Sequence, residues 1–194
     1  MYRIKEDKRS VQSCRLIYEA LTDLMRTTEF QEITVQKLTA HAGVGRATFY
    51  RYFDGIEDVL RMKCDETFAQ LYDYLLSFCR ETAPTEETGY FPFLKPYLRF
   101  WYIHSTIIEQ LMQANLLHVF GEAFVDLANH YPPLLPETEN AKIISRHFDY
   151  FLAIRKGIAI NILTEWIRNG KNLPPDDLAD LVIAQFNAEV QLLF

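Results

Sequence analysis

From Ile56 onward, apolar or aromatic residues return at Leu60, Cys64, Phe68, Leu71, Leu75 and Phe78, always three or four positions apart. That is the period of an α-helix held for about six turns, and it draws these side chains into one stripe. The same spacing governs the chain on either side. Val11, Cys14, Ile17, Tyr18, Leu21, Leu24 and Met25 fall within an arc of about 140°, the width of a helix face packed on a core. Strand-like alternation, internal repeats and low-complexity tracts do not occur in the sequence. The periodicity therefore predicts an all-α chain of about nine helices.

Local signals divide the pattern. Asp7 or Ser10 suits the cap of the first helix, and Thr27-Thr28-Glu29-Phe30 breaks it. Thr34 reads as the N-cap of a second helix carrying Val35, Leu38 and Ala42 on one face. Ala42-Gly43-Val44-Gly45 reads as a tight turn, and Arg46 to Phe53 as a short third helix ended by Asp54-Gly55. Residues 80–92 are polar and contain Pro and Gly, which predicts a loop. Helical segments follow at about 93–104, 105–115 and 116–130, and Tyr131-Pro132-Pro133-Leu134-Leu135-Pro136 interrupts them. A long helix over 139–168 ends at Asn169-Gly170, and Pro174-Pro175-Asp176-Asp177 opens the last one.

Composition narrows the class. The chain has 194 residues, 49% hydrophobic and 14% aromatic, with only 7 Gly and 8 Pro, so it has the material for a packed core. No apolar run approaches the ~18 residues of a membrane span. The charged opening Met1 to Arg9 has no apolar stretch of a signal peptide behind it. The three cysteines show no C-x-x-C spacing, which suits a reduced compartment and a cytoplasmic location without membrane partners. The net charge of −6 is unevenly spread. Up to Lys63 there are 11 basic against 9 acidic residues; of the 20 and 26 overall, 9 and 17 remain beyond it. The first third is thus the part that suits a polyanion.

Two short helices joined by a glycine turn behind a longer amphipathic helix are the parts of a helix-turn-helix. On the third helix Phe49 and Phe53 define the buried face. Arg51, Ala47 and Thr48 lie opposite, Tyr50 and Tyr52 flank that outer face, and Arg46 stands at its tip. In a major groove, Arg46, Ala47 and Arg51 would face base edges, and the hydroxyls of Thr48, Tyr50 and Tyr52 would reach phosphates. The helix start at Thr34 offers N–H groups and a positive dipole end to a phosphate.

The run Thr34-Val-Gln-Lys-Leu-Thr-Ala-His-Ala-Gly-Val-Gly-Arg-Ala-Thr-Phe-Tyr-Arg-Tyr-Phe53, followed by Glu57-Asp58-Val59-Leu60, resembles the DNA-binding signature of the TetR/AcrR family of bacterial transcriptional regulators. The likeness covers about residues 8–62. It implies DNA contacts at Thr34, Gln36, Arg46, Ala47, Thr48, Tyr50, Arg51 and Tyr52. Two positions depart from the pattern: Gly45 stands where Ser is usual, leaving the third helix without a side-chain cap, and Ile56 where Lys is usual. Arg3, Lys5, Lys8 and Arg9 are candidates to restore phosphate contacts.

The resemblance also implies a domain plan of 1–55 for DNA binding and 56–194 for effector binding and dimerisation, with 56–79 as linker helix. It implies a repressor that reads a palindromic double-stranded operator as a homodimer and is released by a small-molecule effector. Ile158, Ile162 and Trp166 on the penultimate helix and Leu178, Leu181, Val182 and Phe186 on the last are the candidate dimer residues. Tyr97, Phe100 and Trp101, from a segment with seven aromatics among residues 90–102, are candidates for lining an apolar effector pocket; such a stripe is also what a core needs.

Rival readings come from other classes. The C-terminal half would recruit a protein partner rather than a small ligand. Alternatively, Asp176, Asp177 and Asp180 form the D-D-x-x-D metal motif of all-α isoprenoid synthases, although acids in a first helical turn after Pro-Pro also simply answer the dipole. His104, His118, His130 and His147 lack zinc spacing, and no nucleophile elbow exists, so neither catalysis, a metal nor a cofactor is expected. Cys64 and Cys79 are possible redox sensors or, more plainly, buried spacers.

Overall fold

A computed structural model describes residues 2–3, 7–81, 93–130 and 146–187. Among the described residues the chain is all-helical, with nine α-helices, one 3₁₀ turn and no strand. In order these are α1 (Lys8–Met25), the 3₁₀ turn (Phe30–Glu32), α2 (Val35–Ala42), α3 (Arg46–Tyr52), α4 (Glu57–Glu81), α5 (Leu94–Ile103), α6 (Thr106–Gln113), α7 (Leu117–His130), α8 (Phe148–Arg168) and α9 (Pro175–Asn187). The helix anticipated from Ile56 therefore runs two residues past Cys79. The expected start of α8 at 139 and the Pro-rich interruption before it lie outside the described residues.

The described residues form two compact units. The first comprises residues up to Thr67 together with Thr106–Asp126; the second comprises Phe68–Ser105 and Leu127 onward. In the first, Asp7 caps α1 by accepting from the N–H groups of Arg9 (3.0 Å) and Ser10 (2.9 Å). Cys14, Ile17, Leu21 and Met25 then bury the face of α1 that packs on α2 and α3. Val11 departs from the expected stripe and is 53% exposed, because its neighbour Ser10 takes the inward position. α6 locks onto α1 through a buried amide. Gln110 accepts from the Tyr18 hydroxyl at 2.9 Å and donates to Thr22 Oγ1 at 2.9 Å, while Gln113 donates to the Met25 carbonyl at the end of α1.

In the second unit α5 packs on α9, and aromatic rings fill the space around α5. Trp101 stands edge-on to Phe68 and Phe100, and Phe100 stacks on His104 with ring centres 4.2 Å apart. Just beyond α8, Gly170 takes a φ of 67° and Lys171 a positive φ of 54°. That turn lets Lys171 donate to Ser105 Oγ at 2.8 Å and the Tyr102 carbonyl at 3.3 Å, placing a cation at the C-terminal end of α5.

Candidate nucleic-acid interface

Two backbone devices set the angle between α2 and α3. Thr34, in extended conformation, caps α2 by accepting from the Lys37 N–H at 3.2 Å. At the other end Gly43 adopts φ 64°, a left-handed conformation that costs glycine little, and the Val44 N–H returns to the Thr39 carbonyl at 3.0 Å. The chain then re-enters a helix at Gly45, which has no side chain with which to cap α3, as anticipated.

α3 is sharply two-faced. Phe49 and Phe53 are fully buried with ring centres 5.5 Å apart, anchoring the helix to the core. Arg46, Ala47 and Arg51 are exposed, Thr48 is half-buried, and Tyr50 is 48% exposed with its ring edge-on to Phe49. Thr34 and Gln36 at the start of α2 are exposed as well.

Tyr52 lies elsewhere than its expected flank. It is 6% exposed and its hydroxyl meets Ser10 Oγ at 3.1 Å. The reason is geometric: Tyr52 follows Phe49 by three positions, so it shares the buried stripe with Phe49 and Phe53. Ser10 in turn donates to Asp7 Oδ2 at 2.6 Å, extending the link to the start of α1.

The opening residues also bear on α3. The Arg3 N–H donates to the Tyr52 carbonyl at 2.8 Å, and the Arg3 guanidinium pairs with Asp54 at 3.0 Å. Tyr2 donates its hydroxyl to Asp65 on α4 at 2.7 Å. Burial, reinforced by that bond, pushes the Tyr2 phenol up, so it stays a protonated donor. Asp58 closes the turn after α3 by accepting from the N–H groups of Asp54 (2.9 Å) and Gly55 (3.3 Å). Neither Tyr2 nor Asp65 has a local signal in the sequence; Asp58 stands in the Glu57-Asp58-Val59-Leu60 run, and an acid in the first turn of a helix answers its dipole. Of the basic candidates in the opening segment, Lys8 and Arg9 are exposed and Lys5 lies outside the described residues.

Phe100 and Trp101 are 5% and 1% exposed within the aromatic packing, with Tyr97 half-buried beside Trp101. Trp166, Leu178 and Val182 are buried, Ile158 and Ile162 half-buried, and Leu181 is 60% exposed; the Phe186 side chain lies outside the described residues. Two exposed apolar residues on α8 went unnoticed in the sequence: Tyr150 at 74% and Ile154 at 62%.

Two of the three D-D-x-x-D carboxylates are engaged by cations on α5. Arg99 donates to both oxygens of Asp176, at 2.6 and 2.5 Å, and Lys95 pairs with Asp180 at 2.7 Å. The Arg99 bonds hold the Asp176 carboxyl below the usual carboxylate range. Among the described residues no group of three or more His, Cys, Asp or Glu is arranged to hold a metal ion. Burial raises the Cys64 thiol, and burial together with the Glu66 charge pushes Cys14 up to about 11, so both persist as thiols. The Cys79 side chain lies outside the described residues. No described helix is long and apolar enough to cross a membrane.

Comparison with known proteins bears on the same region. Residues 17–61 match the family described as bacterial regulatory proteins, tetR family. The HTH-type dhaKLM operon transcriptional activator DhaS of Lactococcus lactis subsp. lactis (strain IL1403) is 33% identical over 64 residues, which are 33% of this chain and 34% of that protein. The chain thus aligns with about a third of the length of this curated relative. Among solved structures, the fatty acid degradation regulator FadR from Bacillus halodurans shares the fold, with a TM-score of 0.57 at 17% identity over 96% of this chain and 98% of that one. The dihydroxyacetone kinase operon activator DhaS gives 0.46 at 19% identity, over 90% of this chain and 96% of that one.

Proposed function

We propose, from the premise that residues 17–61 are a tetR-family region of bacterial regulatory proteins, that this chain is a sequence-specific DNA-binding transcriptional regulator. One observation carries the reading. After a glycine turn, α3 buries Phe49 and Phe53 and turns Arg46, Ala47, Tyr50 and Arg51 outward. An α-helix fits a B-DNA major groove, and Arg paired to guanine is the commonest specific contact. Arg46 and Arg51 are thus the base-reading candidates, with Ala47 against a thymine methyl. Thr34, Gln36, Thr48 and Tyr50 serve phosphates. Tyr52, whose hydroxyl is engaged by Ser10, orients α3 from within.

Residues 1–55 form the DNA-binding domain in this reading, and 56–194 the regulatory and dimerisation domain. Homodimerisation uses α8 and α9, a role favoured by the exposed apolar side chains Ile154 and Leu181. Two recognition helices about 34–36 Å apart then read a near-palindrome in successive major-groove faces. An effector bound within the aromatic region of α5 shifts the equilibrium away from the DNA-bound state by a coupling of about 1–3 kcal/mol. We assign repression to the DNA-bound state. The Lactococcus relative is named an activator, so activation is the second reading.

The test is selection of bound sequences from random duplex DNA, followed by a reporter carrying the winner. A palindromic winner whose affinity falls steeply with salt supports the reading, and the reporter's direction separates repression from activation. Arg46→Ala should weaken the winner by about 1–3 kcal/mol and relax one base position. No enrichment from the random pool overturns the proposal.

A further inference from the structure

We infer that Tyr2, Arg3 and Ser10 are positioning residues that brace the recognition helix from its C-terminal end and set operator affinity without touching DNA. The inference rests on the DNA-binding reading and concerns what holds α3 in place. At seven residues, Arg46–Tyr52 is too short to be stable by itself, and carbonyls at the end of a helix find no partner within it. One of these, the Tyr52 carbonyl, accepts the Arg3 N–H at 2.8 Å. The same residue is held from its side chain: Ser10 gives its proton to Asp7, leaving its oxygen to accept from the Tyr52 hydroxyl at 3.1 Å. Asp7 is itself the cap of α1. Tyr2 anchors the opening segment to α4 through Asp65 at 2.7 Å. The last turn of α3 is therefore tied to the start of α1 and, through residues 2 and 3, to α4.

A phosphate-binding arm is the competing role for Arg3. Its guanidinium instead pairs with Asp54, just beyond α3, at 3.0 Å. The two roles have different signatures. A phosphate contact adds to affinity for any duplex and to the salt slope. A brace changes the fraction of molecules whose α3 is set for the operator, and apparent affinity scales with that fraction.

The test uses three variants of the full chain. Tyr2→Phe removes only the hydroxyl; Arg3→Ala removes the guanidinium and keeps the N–H; Arg3→Pro removes the N–H as well. Affinity for the selected duplex and for a scrambled one is measured across salt concentrations. Tyr2→Phe and Arg3→Pro should bind the selected duplex about threefold to tenfold more weakly, with the scrambled duplex and the salt slope unchanged and Arg3→Ala close to wild type. The brace is overturned if Arg3→Ala weakens both duplexes and lowers the slope by about one, or if Tyr2→Phe and Arg3→Pro bind as wild type. Should the wild type select no DNA, the preceding reading fails by itself. The brace is then decided by amide exchange: faster exchange at Phe49–Phe53 in Tyr2→Phe and Arg3→Pro, with the amides of α4 unchanged, supports it, and unchanged exchange at Phe49–Phe53 refutes it.

Discussion

Gly45 is a position where a single side chain should stabilise the protein. Its backbone, φ −72° and ψ 146°, is the extended conformation of an N-cap, open to any L-residue. A Cβ added there would meet only Thr48 Oγ1, at 3.9 Å, an ordinary contact. In Gly45→Ser the new hydroxyl can accept from the N–H of Ala47 or Thr48, worth a few tenths of a kcal/mol over glycine. Loss of glycine's freedom in the unfolded chain adds about 0.4–1 kcal/mol. The sum, about 0.5–1.5 kcal/mol, corresponds to a rise in melting temperature of about 1–6 °C for a chain of this length. Gly45→Ala tests the cap: it has no acceptor, and its methyl screens the first N–H groups from the water that reaches them beside glycine, so it should fall about 1 kcal/mol below the serine variant. The assay is urea unfolding of all three proteins at one protein concentration, since the midpoint of the proposed dimer would depend on concentration. Equal midpoints for the serine and alanine variants would refute the capping argument, and a serine midpoint below wild type would refute the claim that space and backbone allow it.

Three further outcomes are expected. Phe49→Ala should cost about 3–5 kcal/mol, because the ring is fully buried, and should abolish operator binding together with the folded signal of the first unit in circular dichroism and exchange measurements. Asp176, whose carboxyl is lowered by Arg99, stabilises fully above its unfolded value of 3.8 and loses that contribution as pH falls through its lower folded value. The difference in urea midpoint between wild type and Asp176→Asn should therefore be constant above that value and shrink below it. With both side chains near half exposed, the difference is small throughout. Leu181→Lys should leave monomer stability within about 0.5 kcal/mol, as Leu181 is 60% exposed, while shifting sedimentation velocity profiles from the proposed dimer to monomer.

The features legible in the sequence were those whose causes lie within a few residues. Thr34 as a cap, the Gly43 turn, the bare start of α3 and the long stripe from Leu60 to Phe78 all express local backbone preference or helical period. What escaped depends on partners far along the chain. Tyr52 turns inward toward a serine 42 positions away. Gln110 gave no sign of bonding Tyr18 and Thr22, 92 and 88 positions earlier. The acids of the D-D-x-x-D run do answer a helix start, yet Asp176 meets an arginine 77 positions back, which no local rule discloses. Tyr52 escapes for a narrower reason: Phe49 and Phe53 mark the centre of the buried arc, and a hydroxyl suits its edge until its buried serine partner is known.

The polar clamp of Gln110 and Gln113 on α1 has a consequence for how the protein is made. The first unit takes residues up to Thr67 and then Thr106–Asp126, with the intervening stretch assigned to the second. At bacterial or eukaryotic translation rates of about 5–20 residues per second, the nascent α1 waits on the order of several seconds for α6 to be synthesised. During that interval Tyr18 and Thr22 have only each other and water to bond, and the faces of α1 that α6 will cover stay open to chaperones or to neighbouring chains. Completion of the unit is thus governed by a late, long-range closure, a slow step by topology. Weakening the clamp would show first as lower yield from living cells, before purified protein showed any defect.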